Sequence, residues 1–359
     1  MTIPLSRPPV DDEIKQAVLT AIDSRQYILG PESRAFETEF AAYIGTQHAV
    51  LTNSGTAGLW LTFKALGLKA GEELLVPSHT AFPTVEAVCF AGGVPVFVDV
   101  DDSYTIDPKD AAAKVSSRTV GIVPVHLYGH PAQIGAIQAL ADRHGLWIVE
   151  DCCQAHGAAL HGRKVGGFGR AAAFSFYPSK NLTVMGDGGI VVTNDELIAQ
   201  HCRRLRDHGR LNKDVHTEVG FNLRFNEIQA AIGRVLLRRL DRMNERRRRL
   251  ARRYLERLQG LPITLPREAP GATHVYHLFV IRTRERDALK EWLKECGIQT
   301  GIHYPVPCHK QPAVTELNPP DLPRTETIVG EILTLPLSPD HSEAEIDQVA
   351  EAVRAYFRR

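Results

Sequence analysis

At 359 residues the chain exceeds the size at which a single core stops growing, and its 42 basic against 42 acidic side chains exclude a global charge that would favour nucleic acid or a membrane. Six cysteines without a CxxC pair or a dense framework indicate a reduced, cytoplasmic setting; no metal site is expected, and the adjacent Cys152 and Cys153 read as packing residues. Met1 to Pro8 lacks the apolar stretch of a signal peptide, and no uncharged apolar run is long enough to span a bilayer.

Along the chain, short apolar runs alternate with helical stretches. Strands are expected at His48–Thr52, Glu73–Pro77, Val96–Val100, Gly121–His126 and Leu146–Glu150, nearly continuous in apolar residues, as parallel strands covered on both faces require. Thr56–Leu66 and Ile134–His144 are helix candidates long enough for right-handed crossovers. The runs around Phe174 and Ile190 are joined too tightly for such a crossover, so one antiparallel member is expected. From about Asn226 to Gln259, Ile228, Ile232, Leu236, Leu240, Met243, Leu250 and Tyr254 recur at helical spacings and predict one long helix. Its ten arginines between Arg238 and Arg257 lack interleaved aromatic residues and read as a solvated face rather than a nucleic-acid surface. Gly260-Leu261-Pro262 and Pro266 to Gly271 read as linker. Beyond it, a strand at His277–Ile281, a helix at Arg286–Cys296 and a closing helix at Ser342–Phe357 form a smaller α+β unit. The expected division is a large α/β domain over 1–245, with an N-terminal segment free to pack on the second unit, and a small domain over 246–359.

Three segments carry chemistry. Asn53-Ser54-Gly55-Thr56 lies between a strand and a helix, where free backbone N–H groups hold phosphate, although Ser54 could serve only as a helix cap. Asp151 ends a strand, where open α/β sheets meet their ligands; capping a following helix is its alternative role. Lys180 follows Phe174 to Ser179 and precedes the turn Gly186 to Gly189, which places an amine at a strand end inside a cleft, where it can act as a nucleophile. Gly220 to Glu227 is a polar connection ahead of the long helix. His156 reads as a satisfied core histidine.

These segments, with Tyr27 to Pro31, Val76-Pro77-Ser78, Pro95 to Val100, Val125 to Gly129, Phe174-Ser175-Phe176 and Gly220-Phe221-Asn222, resemble the sugar aminotransferases of the DegT/DnrJ/EryC1/StrS family. The resemblance implies the type I fold of pyridoxal-phosphate enzymes, a mostly parallel sheet with helices on both faces and a smaller C-terminal domain. It implies Lys180 as the Schiff-base lysine, Asp151 as partner of the ring nitrogen and Gln154 near the ring oxygen. Gly55, Thr56 and Ser175 become phosphate contacts, and Asn222 is delivered across a homodimer interface. It also implies pyridoxal 5'-phosphate as cofactor, a glutamate or glutamine donor and a nucleotide-linked keto sugar as acceptor, with no nucleic-acid or membrane partner. Tyr304 and His309 stand as candidate substrate contacts. The position at which relatives place a ring-stacking aromatic residue is Ala81 here, leaving His79 or Phe82 to replace it. A cyclitol ketone as acceptor, a pyridoxal-phosphate lyase and a pyridoxal-phosphate-binding regulatory protein are the alternatives.

Overall fold

The computed structural model describes residues 2–359. In chain order the elements are α1 (Asp12–Asp23), α2 (Pro31–Ile44), β1 (His48–Thr52), α3 (Gly55–Ala65), β2 (Glu73–Pro77), α4 (Pro83–Phe90), β3 (Val94–Val98), α5 (Pro108–Ala113), β4 (Thr119–Ile122), α6 (Ile134–His144) and β5 (Trp147–Asp151). They continue with β6 (Ala159–Leu160), β7 (Arg163–Lys164), β8 (Ala171–Ser175), β9 (Gly189–Thr193), α7 (Glu196–Arg206), α8 (Glu227–Leu258), β10 (Ala272–Thr273), β11 (Phe279–Arg282), α9 (Arg286–Glu295), α10 (Pro323–Glu331), β12 (Ile332–Leu335) and α11 (Glu343–Phe357).

Seven strands form the main sheet in the order β1-β9-β8-β5-β4-β2-β3. Only β9 runs against the others: it pairs antiparallel with β8 on one side and β1 on the other. All five residues of β2 and of β9 are buried, so their apolar runs are covered on both faces. Strands β3 and β4 begin two residues earlier than the sequence suggests. Beyond Ile122 the chain stays extended, but its pairing shrinks to a single bridge between Val125 and Asp151. The two expected linker stretches, 260–262 and 266–271, carry no helix or strand; the chain beside them is tied down, by the bridge from Thr264 to Arg282 and by the pairing of β10 with β6.

Helix α8 is the spine. Asn226 caps it by accepting from the Gln229 amide at 2.9 Å. Its first half, to Met243, packs in one core with Phe36, Phe40, Phe174 and Phe176, whereas Leu250, Ala251, Tyr254 and Leu258 belong to a second core with Ile3, Phe279, Leu293 and Val353. The arginines are largely spent on ion pairs: Arg234 with Glu32 and Glu39, Arg238 and Arg239 with Glu13, Arg246 and Arg253 with Glu343, and Arg257 with Asp347. Together they lace α1, α2 and α11 onto the spine. Individually such exposed pairs stabilise little, but their number accounts for the basic run without a nucleic-acid partner.

Candidate active site

Asp151 is the last residue of β5, and Ala173 of β8 lies opposite it in parallel register. It is buried, and no helix follows it, so the capping alternative is removed. Instead its Oδ1 accepts from the Cys153 amide at 3.0 Å and its Oδ2 from the Thr84 hydroxyl at 2.7 Å. Two donors from separate elements fix the carboxylate plane, which a buried carboxylate needs. Lys180, five residues past the end of β8, is half-buried and joins Asp151 and Cys153 at this sheet edge. Desolvation pulls its pKa below 10.5, opposed by the nearby Cys153 and Asp151. Among the described residues its amine has no hydrogen-bond or ion-pair partner within reach. A lysine held in that state loses its proton at lower pH than a solvated one and is available as nucleophile or base.

The helix α3 begins directly beside this pair. Ser54 caps it, accepting from the Ala57 amide at 3.1 Å, while the amides of Gly55 and Thr56 lie outside the helix's own ladder and are free for an anion. The approach is close enough to require glycine. A Cβ on Gly55 would stand 2.7 Å from the Cys153 Sγ and 2.8 Å from the Ser175 Cβ, and one on Gly189 2.4 Å from the Ser54 carbonyl carbon. Thus Gly55, Thr56 and Ser175 are brought to one corner of the Lys180 and Asp151 cleft. The donor set matches a phosphorylated pyridine aldehyde: open helix amides for the phosphate, an amine for the aldehyde and a carboxylate for the ring nitrogen.

Gln154 is buried rather than facing solvent. Its Oε1 accepts from the Tyr128 amide at 2.8 Å and its Nε2 donates to the Tyr304 hydroxyl at 2.9 Å, which brings two predicted residues together. His309 lies elsewhere. It is fully buried, with one ring nitrogen on the Ser78 hydroxyl at 2.5 Å and the other on Glu326 at 2.9 Å, so neither is left for a substrate. Asn222 is exposed on its own chain, where its Oδ1 accepts from the Arg224 Nε at 3.0 Å. Its neighbour Phe221 meets Trp60 edge-on at 4.4 Å and lines a cavity of about 430 Å³ with Asn53, Ser54 and Thr56, so this segment flanks the phosphate turn. His79 is buried on the Tyr128 hydroxyl at 2.7 Å, and Phe82 packs against the core of Leu59, Phe63 and Val85.

Sequence reasoning missed Thr84, Tyr128 and the pair Asn181 and Asn244; the first two reach the site from 67 and 26 residues away from their partners, with no local pattern to announce them. His156 is a core residue as expected, packed on Phe174 and Phe176, but not a satisfied one: neither ring nitrogen has a hydrogen-bond partner among the described residues. His126, Glu150 and Cys152 lie within ligand distance of one another, but His126 already accepts from the Ala132 amide and donates to Glu150 at 3.1 Å. Glu150 also accepts from the Gly166, Phe168 and Gly169 amides, so the group is a satisfied strut under β5.

A strand-end carboxylate and a desolvated lysine beside an open helix N-terminus define a class, the α/β enzymes that move amino groups. The chain belongs to the DegT/DnrJ/EryC1/StrS aminotransferase family, whose model matches residues 8–354. It is similar to the dTDP-3-amino-3,4,6-trideoxy-alpha-D-glucose transaminase of Streptomyces venezuelae, 46% identical over 351 residues that cover 97% of this chain and 93% of the relative. The crystal structure of S. venezuelae DesV in complex with a ketimine intermediate superposes with a TM-score of 0.96 at 44% identity, over 100% of this chain and 99% of that one. NtdA of Bacillus subtilis, solved with bound cofactor PMP, gives a TM-score of 0.91 at 30% identity, over 97% and 82% of the two chains. The chain is therefore an aminotransferase with the fold expected from its sequence. No helix among the described residues is long and apolar enough to cross a membrane.

Proposed function

We propose that the protein is a pyridoxal-5'-phosphate-dependent aminotransferase that carries an amino group from glutamate or glutamine to a nucleotide-linked keto sugar in amino-sugar biosynthesis in the cytoplasm. When bound, the cofactor supplies an aldehyde that captures amines and a ring that takes up the electrons released at a donor's α-carbon. Lys180 anchors that aldehyde between turnovers. With the cofactor bound, its Nζ would be the group that takes the proton from the donor's α-carbon and, in the second half-reaction, returns one to the acceptor carbon. Desolvation lowers the pKa of this amine, which favours the neutral form that both duties need. Asp151, held by Thr84 and the Cys153 amide, keeps the ring nitrogen protonated, and the amides of Gly55 and Thr56 with Ser175 receive the phosphate. Gln154 and Tyr304, bonded to each other, line the opposite side of the site.

The sugar acceptor is supported by the S. venezuelae relative, a dTDP-3-amino-3,4,6-trideoxy-alpha-D-glucose transaminase. Two copies of the chain form the working unit, each lending Asn222 to the other's site. The support is the exposure of Asn222 and of Leu211, Val215, Val219 and Phe221 on the same segment, an apolar patch that association would cover. A large domain over 1–245 and a small one over 246–359 meet within α8, in keeping with the change of core between Met243 and Leu250.

The observation that carries this reading is the unpartnered, desolvated amine of Lys180 beside the doubly held carboxylate of Asp151. Borohydride reduction of the protein incubated with pyridoxal phosphate, followed by peptide mapping, should place the adduct on Lys180, and glutamate should bleach the yellow absorbance of the unreduced protein. An adduct confined to another lysine would refute the assignment.

A further inference from the structure

The residue after the reactive lysine is tied into a chain of buried amides. Asn181 is 5% exposed, and its Nδ2 donates to the Asn244 Oδ1 at 2.9 Å and to the Val275 carbonyl at 3.1 Å. Its Oδ1 faces the His277 Nδ1 at 3.3 Å. Because a carboxamide oxygen only accepts, His277 carries its proton on Nδ1. Asn244, also 5% exposed, uses its own Nδ2 to donate to the His156 carbonyl at 2.7 Å. Turning either amide over would oppose oxygen to oxygen or N–H to N–H along the chain, so each carboxamide has one satisfied orientation.

The place of Asn244 gives this chain its meaning. It sits on α8 one residue past Met243, the last α8 side chain of the first core, and one turn before Arg247, whose guanidinium donates to the Leu337 carbonyl at 2.9 Å and the Tyr276 carbonyl at 3.3 Å. At this point α8 therefore holds three segments at once: the Lys180 loop through the Asn181 side chain, the loop after β5 through the His156 carbonyl, and the entry to β11 through the bond from Arg247 to the Tyr276 carbonyl. Nothing in the chemistry of packing alone calls for two buried asparagines here, since an apolar pair would fill the space with no polar group to satisfy.

We propose that Asn244, acting through Asn181 and with His277 closing the other end, is a positioning residue that holds the Lys180 amine at the sheet edge against Asp151. The proposal rests on Lys180 being the cofactor-bearing lysine. The groups that face the amine are Asp151 and Cys153 from the end of β5, His156 from the loop behind it, and His277 and His303 from the second core's side. Burial keeps all three histidines neutral near pH 7, so they do not compete with Lys180 for the carboxylate. A loop released from Asn244 would swing the amine toward water and return it to the behaviour of an ordinary lysine.

The test follows the Lys180 amine in full-length protein freed of cofactor, by its rate of labelling with trinitrobenzenesulfonate against pH, read from the Lys180 peptide by mass spectrometry. Wild type should titrate below the ordinary lysine value of 10.5. Asn244→Ala should move the midpoint up by about one pH unit, which is about tenfold less neutral amine at a given pH. The cofactor-loaded variant should lose about tenfold in kcat with the donor KM changed less than about threefold, because a positioning defect acts on the step that uses the amine. If Asn244→Ala does not fold, His277→Leu cuts the same chain at its other end and decides by the same midpoint. A folded variant that titrates with wild type, while borohydride still traps cofactor on Lys180, overturns the positioning role and leaves the functional reading intact. Trapping on a different lysine in wild type overturns that reading instead, whatever the midpoint.

Discussion

Glu227 offers the sharpest test of how the site's surroundings are held. Its carboxylate, at the first position of α8 and 1% exposed, reaches back across the sequence to the start of α2. Oε1 accepts from the Gly30 amide at 2.8 Å and the Ser33 amide at 3.0 Å, Oε2 accepts from the Glu32 amide at 2.8 Å, and the Ser33 hydroxyl adds a short bond to Oε1. Gly30 gives no side-chain cap, so Glu227 caps α2 from another element. Each hydrogen bond to a charged acceptor contributes roughly 1.5–3 kcal/mol, but bonds sharing one acceptor do not add, so Glu227→Ala should cost about 4 kcal/mol. Glu227→Gln, which retains one acceptor and loses the charge, should cost about 2 kcal/mol. Hydrogen exchange at the Gly30, Glu32 and Ser33 amides reads this directly, and 4 kcal/mol is about a thousandfold loss of protection where local opening governs exchange. Gly30→Ala provides the cross-check. A Cβ there would stand 2.7 Å from the Glu227 Oε2, so it should be costly in wild type and nearly neutral when Glu227 is already alanine. Protection within about threefold of wild type in Glu227→Ala, or an equal cost of Gly30→Ala in both backgrounds, would refute the reasoning.

Three further outcomes are expected. Thr84→Val removes one of the two donors to Asp151 and should weaken pyridoxal-phosphate binding about tenfold in a fluorescence titration, whereas an unchanged affinity would separate Thr84 from the site. Asn222→Ala should weaken cofactor retention with secondary structure unaltered, and retention equal to wild type would argue against a contact across subunits. Stability should fall on acidification: burial pushes the pKa values of His79 and His156 from 6.5 down to about 3, so the unfolded chain takes up protons below pH 6.5 that the folded chain refuses. Two such groups remove roughly 4 kcal/mol between pH 7.5 and 5. Burial of Glu150 is outweighed by its bonds from His126 and the Gly166 and Gly169 amides, so its pKa is lowered and its contribution is lost in the same direction as the pH falls. Equal thermal midpoints at pH 7.5 and 5 would contradict this.

What the sequence made legible was local and periodic. The predicted long helix differs from α8 by one residue at each end, because a 3.6-residue apolar repeat and the Asn226 cap both lie within the segment itself. Asp151 stood out as a candidate because it closes a strand and Lys180 because it follows one by five residues, relations read over a short stretch of chain. The hydroxyl that steadies Asp151 comes from α4, and the amide that ties down the Lys180 loop comes from α8; those pairings depend on how helices dock, which no spacing encodes. His309 shows the opposite failure. Its segment resembles a substrate contact, yet the ring turns into the core to join Ser78 and Glu326. The arginine run drew attention to charge on α8, while the acids that answer it lie on three other helices far away in the chain.

The 32-residue α8 serves both cores without a break, spanning about 48 Å at 1.5 Å per residue. Adding or removing a single residue between Met243 and Leu250 would turn everything beyond it by about 100° and shift it about 1.5 Å, breaking the seats of Arg247 and Tyr254 together. A change of length in a loop leaves both cores in register, so the second core can be reshaped only while the ruler connecting it to the first keeps its count.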